Sequence, residues 1–149
     1  MMGEITVRPL EAADHAAWRR LWTDYLAFYE SSVPETVYET TWQRLFAEGD
    51  FEPRGFVALM GGAAVGIVHY LFHRSTWSIE GNCYLQDLFT TPEARGKGAG
   101  EALIETVRKA AAGRGVSNVY WMTHETNATA RRLYDRVARK TGFIEYDLQ

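Results

Sequence analysis

The sequence predicts a mixed α+β (α/β mixed) chain in the order β-α-α-β-β-β-α-β-α-β, with a parallel pair of strands around its central βαβ unit. Runs rich in Val, Ile, Phe and Tyr alternate, or stay apolar, over strand length. Other stretches repeat apolar residues at i, i+3, i+4 and i+7. Breaks containing Gly, Pro or Ser separate the two kinds.

In order, Glu4 to Leu10 alternates as a first strand, with Pro9 at its end. A helix follows from about Ala12 to Tyr29, with Trp18, Leu21, Trp22, Tyr25 and Phe28 or Tyr29 on one face. Thr36-Val37-Tyr38-Glu39 has the form of a capping box, so a second helix is expected to run to Ala47 and end near Gly49. Phe56–Met60 and Ala63–Phe72 read as strands joined by a Gly61-Gly62 hairpin turn. After a polar connection from Arg74 to Asn82, Tyr84–Phe89 is a strand ended by Thr90-Thr91-Pro92. Ala99, Leu103, Val107 and Ala110 mark a helix that Gly113 and Gly115 stop, with Glu105 and Lys109 expected to pair across one turn. Val116–Met122 is a strand, Asn127–Lys140 a helix and Phe143–Tyr146 a last short strand.

A chain of 149 residues reads as one domain, 1–149, with an ordinary soluble composition of 46% hydrophobic and 23% charged residues. No apolar run reaches membrane-spanning length, Met1-Met2-Gly3-Glu4 opens no signal peptide, and Cys83 is the lone cysteine. The expectation is a cytoplasmic protein with no membrane partner. The net charge of −3 divides unevenly: 13 acids and 6 bases (−7) in residues 1–94, 6 acids and 10 bases (+4) in residues 95–149. A basic second half suits an anionic cofactor and an acidic first half a cationic substrate; scattered solvated charge is the plainer alternative. No strongly basic patch points to nucleic acid.

The chain is organised around Tyr84–Glu101, where a strand leads through a glycine-rich loop into a helix. Peptide N–H groups in a helix's first turn lack partners, and the helix dipole places roughly +0.5 charge there. Gly96, Gly98 and Gly100 keep side chains away from those donors, while Arg95 and Lys97 add charge, so the loop is suited to phosphate. A Walker loop would need Ser or Thr after Lys97, where Gly98 stands. The dinucleotide pattern counted from Gly96 would need glycine at Glu101.

Arg95-Gly96-Lys97-Gly98-Ala99-Gly100 instead resembles the pyrophosphate loop of the Gcn5-related N-acetyltransferases, the GNAT superfamily. Asn127-Ala128-Thr129-Ala130-Arg131-Arg132-Leu133-Tyr134, followed by Gly142-Phe143, is similar to that family's second signature, Asn-x-x-Ala-x-x-Leu-Tyr. The resemblance spans about Gly55 to Tyr146. It implies a central mixed, mostly antiparallel sheet flanked by helices, with acetyl-CoA as co-substrate and no metal. Cofactor-binding residues carried over are Leu88, Phe89, Thr90, Arg95, Gly96, Lys97, Gly98, Ala99, Gly100, Asn127 and Ala130. The amides of Leu88 and Thr90 are the ones expected to polarise the thioester carbonyl.

Tyr134 fills the family's tyrosine position and is expected to be the acid that protonates the leaving thiolate; the alternative is a core tyrosine. Tyr84-Leu85-Gln86-Asp87 resembles the Tyr-Leu-Glu-Asp stretch of polyamine acetyltransferases and the Hpa2-like group, with Gln86 where those enzymes carry glutamate. Gln86 cannot take a proton, so Asp87 is the candidate base, with Glu80 a second possibility and a structural acceptor role for Asp87 a third. The family's substrate pocket maps to the first two helices, where Tyr25, Tyr29, Glu30 and Tyr38 are the candidate substrate contacts and Trp18, Trp22 and Phe46 read as core. Aromatic faces and carboxylates together suit an ammonium group. His69 and His73 lack a third ligand for a metal, His124 reads as a loop histidine with a local hydrogen bond, and Cys83 as a buried thiol.

The activity expected is acetyl transfer to the primary amine of a small cationic, polyamine-like or amino-acid-like molecule. A protein lysine or N-terminus as acceptor, and a non-catalytic acyl-CoA-binding module, are the rivals. Eight positions separate Tyr134 from Gly142, and a strand usual in the family is wanting at the end of the chain. The open sheet edge this leaves leads to the expectation of a homodimer.

Overall fold

The computed structural model describes residues 4–148. Strands β1 (Ile5–Pro9), β2 (Arg54–Met60), β3 (Ala63–His73), β4 (Asn82–Thr90) and β5 (Asn118–Tyr120) lie side by side in that order in one sheet. The first four are antiparallel neighbours, and β4 and β5 are parallel. Helices α1 (His15–Phe28), α2 (Glu35–Arg44), α3 (Ala99–Gly113) and α4 (Ala128–Val137) complete the chain, with α3 as the crossover between the parallel strands. The architecture is the mixed, mostly antiparallel α+β arrangement that the sequence predicts.

Strand alternation divides the interior into two cores. Phe56 and Ala58 of β2 face the cluster built on Ala99, Leu103, Val107 and Ala111 of α3, whereas Val57 and Leu59 face Trp18 and Leu21 of α1. Gly61 and Gly62 both take positive φ, 59° and 82°, as a two-residue hairpin turn matched to strand twist requires. At the end of α3, Val116 N–H donates to Ala111 C=O and Gly115 N–H to Ala112 C=O, the paired bonds of a Schellman stop.

Several expected details differ. Pro34, not a threonine, stands at the N-cap of α2 with no side-chain bond, so Thr36 falls inside the first turn and its capping box does not form. The reciprocal cap occurs earlier, where the Asp14 carboxylate accepts the Glu11 N–H at 2.7 Å. Glu105 pairs with Arg108 rather than Lys109. Phe46 is 45% exposed, edge-on to Trp42 at the rim of the aromatic cluster rather than in the core. α2 and α4 stop at Arg44 and Val137, and residues 138–148 carry no regular structure, so the strand expected at Phe143–Tyr146 is absent. A strand needs a partner for its peptide groups, and β5, at the end of the sheet order, is only three residues long. Among the described residues no helix is long and apolar enough to cross a membrane.

Candidate active site

The site begins with an irregularity in β4. Pairing with β3 passes from His69↔Asp87 to Tyr70↔Leu85, leaving Gln86 as the extra residue of a bulge. Leu85 and Leu88 therefore both pack into the α3-side core although three positions apart. Asp87 and Phe89 turn to the opposite face, toward α1. On its other edge β4 meets β5 only from Asn82 to Tyr84. Beyond Tyr84 the two parallel strands part, and no strand among the described residues lies against that side of Leu85–Thr90.

A cleft of about 1130 Å³ opens where the strands separate. Leu88, Phe89 and Thr90 form part of its wall, and Arg95, Gly96, Gly98, Ala99 and Gly100 another part. Gly98 is the N-cap of α3 at φ 91°, and no side chain caps the helix, so its first-turn N–H groups stay free for an anion. A Cβ added at Gly96 or Gly98 would meet nothing within 4 Å, so each glycine leaves open space rather than relieving a contact inside the protein. Gly100 differs, since a Cβ there would come within 3.1 Å of Leu133 Cδ2. Lys97 is exposed and does not line the cleft.

The opposite wall comes from α4. Asn127 spends its side-chain oxygen on the Ala130 N–H, capping the helix. Both residues line the cleft, as does Tyr134. The Tyr134 ring packs edge-on to Trp121 with centroids 5.4 Å apart, and burial pushes its phenol up to about 12. It therefore holds its proton across the neutral and mildly alkaline range. Thr126, Arg132 and Leu133 also line this wall; Leu133 lies within the second signature itself, but the sequence carried no separate signal for Thr126.

The far end of the cleft belongs to α1 and the turn after it, through Tyr25, Phe28, Tyr29 and Glu30. Glu30 is the one described non-glycine residue with positive φ, 54°, in the position after α1 where Ser31 N–H returns to Leu26 C=O. Tyr38 sits elsewhere. It is 8% exposed in the α1–α2 core, shares a 2.7 Å hydrogen bond with Thr23 and lies under the Arg19 guanidinium, because its place on α2 turns it toward α1. Glu80 is likewise remote, its carboxylate accepting from the Ser117 N–H and hydroxyl, which holds its pKa down.

Asp87 lies just behind the cleft wall. Its carboxylate meets Nδ1 of His69 at 3.0 Å, and its charge acts on the Tyr25 phenol, which is pushed upward first by burial and then by Asp87. His69 Nε2 accepts from the Trp18 indole at 2.9 Å. His73 donates from Nδ1 to the Arg74 carbonyl and meets the Tyr120 hydroxyl at 2.7 Å. His124 lines the cleft and bonds locally to the Thr126 hydroxyl. Cys83 is fully buried, and burial raises its thiol to about 11.

These features fit acetyl-CoA: free helix-start amides for a diphosphate, an unpaired strand edge for an extended amide-bearing arm, and a proton-holding phenol beside it. Comparison with known proteins agrees. A family model described as the Acetyltransferase (GNAT) family matches residues 17–138. The D-amino-acid N-acetyltransferase HPA3 of Saccharomyces cerevisiae is 38% identical over 144 residues, covering 95% of this chain and 89% of that protein. The thialysine N-epsilon-acetyltransferase of Bos taurus is 36% identical over 74 residues, covering 50% of this chain and 43% of that protein. Among solved structures, AAC(6')-Iy in complex with a bisubstrate analog, CoA-S-monomethyl-acetylneamine, superposes with a TM-score of 0.82 at 16% identity, covering 98% of both chains. On the matching family model and the yeast relative, the chain belongs to the Acetyltransferase (GNAT) family and is an acetyl-CoA-dependent N-acetyltransferase.

Proposed function

We propose that the chain acetylates the primary amine of a small cationic or amino-acid-like molecule by direct attack, with Asp87 as base and Tyr134 as acid. The observation that carries this is the single cleft in which helix-start donors, the free edge of β4 and Tyr134 meet the rings and carboxylate of Tyr25, Tyr29 and Glu30. Bound acetyl-CoA supplies an acetyl group activated as a thioester. The protein contributes orientation through Leu88, Phe89, Thr90 and the loop Arg95–Gly100, and it contributes the proton traffic. An alkylamine of pKa about 10.4 must lose a proton first, which at pH 7 costs about 4–5 kcal/mol. The Asp87 charge and the surrounding rings hold the ammonium in place, and Asp87 receives its proton as the amine attacks. At the leaving side, Tyr134 keeps its proton until the departing sulfur needs it.

The α1 end of the cleft favours a positively charged acceptor, since Glu30 and three aromatic rings stand there without a lysine or arginine of α1 among the lining residues. An amino acid as acceptor is favoured by the yeast relative, a D-amino-acid N-acetyltransferase. Release of free thiol from acetyl-CoA should be measured against polyamines, lysine analogues, D- and L-amino acids and peptides. Turnover with a small amine supports the proposal; turnover with peptides alone redirects it to a protein substrate. Tight CoA binding with no release from any acceptor leaves a binding module.

We infer in addition that two copies associate. β5 ends the sheet order, and Phe143, Ile144, Tyr146 and Leu148 are at least 75% exposed in the single chain. A cluster of that kind is seldom left to solvent. Light scattering at micromolar concentration should give twice the chain mass, and a monomeric mass would count against the inference.

A further inference from the structure

We propose that a buried hydrogen-bonded chain, Trp18 to His69 to Asp87, holds the Asp87 carboxylate as counter-ion and proton acceptor for the acceptor's ammonium. This rests on Asp87 being the base, as inferred above.

The direction of the chain follows from donor chemistry. An indole N–H can only donate, so Nε2 of His69, 2.9 Å from Trp18 Nε1, must accept. The imidazole proton then sits on Nδ1, aimed at Asp87 Oδ2 across 3.0 Å. Trp18 is 0% exposed and His69 3%, so packing fixes this tautomer. His69 thereby orients Asp87 without bringing a charge of its own.

That leaves Asp87 short of a cation. Its side chain is 15% exposed, and among the described residues no lysine or arginine pairs with it. The groups facing it are His69 from β3, Tyr25 and Tyr29 from α1, and Tyr84 from its own strand. A carboxylate so nearly enclosed calls for an opposite charge. Asp87 does not itself line the cleft, but Tyr25, on whose phenol its charge acts, does. In the reaction the ammonium gives one proton to Asp87 as the amine attacks. Ammonium and carboxylate become amine and carboxylic acid. Trp18 and His69 are positioning residues in this scheme.

The test compares His69→Leu, His69→Asn and Asp87→Asn with the wild type at pH 7 and near pH 10, using whichever amine the wild type acetylates fastest. Near pH 10 much of an alkylamine is already neutral, its pKa being about 10.4, so the base is no longer needed. At pH 7, His69→Leu should lower turnover about tenfold and Asp87→Asn about a hundredfold, and both gaps should close to within about threefold near pH 10. His69→Asn, which keeps a donor near the Nδ1 position, should lose less than His69→Leu. A merely structural defect would be equal at both pH values. If the His69→Leu gap stays open while the Asp87→Asn gap closes, the positioning role is overturned and the base stands. If the Asp87→Asn gap itself stays open, the base reading fails and this proposal fails with it. Should His69→Leu show no thermal unfolding transition, the same pH comparison on His69→Asn decides.

Discussion

The guanidinium of Arg8 grips the carboxylate of Asp14 through two parallel hydrogen bonds, 2.7 and 2.9 Å long. The pair ties the end of β1 to the 3-10 turn that launches α1, the helix bearing Trp18, Tyr25 and Tyr29. The bond from Arg8 is the main reason the Asp14 carboxyl lies below its ordinary value. Asp14→Asn should therefore destabilise the fold by about 1.5–3 kcal/mol, the range for a hydrogen bond to a charged group. A carboxyl depressed in the folded state stabilises above the unfolded value, near 4, and the contribution disappears as pH falls through the folded value. Melting curves should thus differ most above about pH 5 and converge in stronger acid; a gap independent of pH would refute the assignment.

Tyr134→Phe keeps the ring against Trp121 and removes only the hydroxyl. Turnover should fall about tenfold or more, with the affinity for CoA little changed. Because burial raises the phenol to about 12, wild-type turnover should not lose this acid near pH 10, where a free tyrosine ionises. The raised pKa also stabilises the fold in full below pH about 10, and that contribution is lost as pH rises through the folded value. Unchanged turnover in Tyr134→Phe would remove its role.

Gly98 and Gly115 make a matched pair, at φ 91° and 75°, each with nothing within 4 Å of an added Cβ. One begins α3 in the cleft and the other follows its end. Valine at either position incurs a left-handed backbone penalty of about 1–2 kcal/mol. Only Gly98→Val should also raise the Kd for CoA, by about tenfold or more, because its side chain would enter the space proposed for the diphosphate. Equal CoA affinity in the two variants, by calorimetry, would show that the loop is only a turn.

Glu30 occupies a left-handed position that glycine would fill without strain. Glu30→Gly should leave the fold as stable or up to about 1 kcal/mol more stable, because relief of strain opposes the added freedom of the unfolded chain. The KM for a cationic amine should rise several-fold at the same time. A more stable protein with an unaltered KM would mean that the carboxylate does not meet substrate.

Much of this was legible in the chain. Periods of two and of 3.6 marked the strands and helices, and Arg95–Gly100 with Asn127–Tyr134 carried the family by local pattern. The boundaries of α2 and the Glu105 pairing were misread because helical spacing permits several caps and partners, and only packing selects one. Phe143–Tyr146 has the composition of a strand but lacks a neighbour to pair with.

Local pattern alone determined the acetyltransferase family and the helix start suited to its cofactor, since those depend on residues within a few positions of one another. The tertiary structure decided which face Asp87 takes, by the bulge at Gln86, and that Trp18 stands behind His69, 51 positions away. It also took Tyr38 into the core and left Glu30 at the cleft. Neither a strand's face after a bulge nor a hydrogen bond across the sheet leaves a period in the sequence, because both are set by what packs against the residue from elsewhere in the chain.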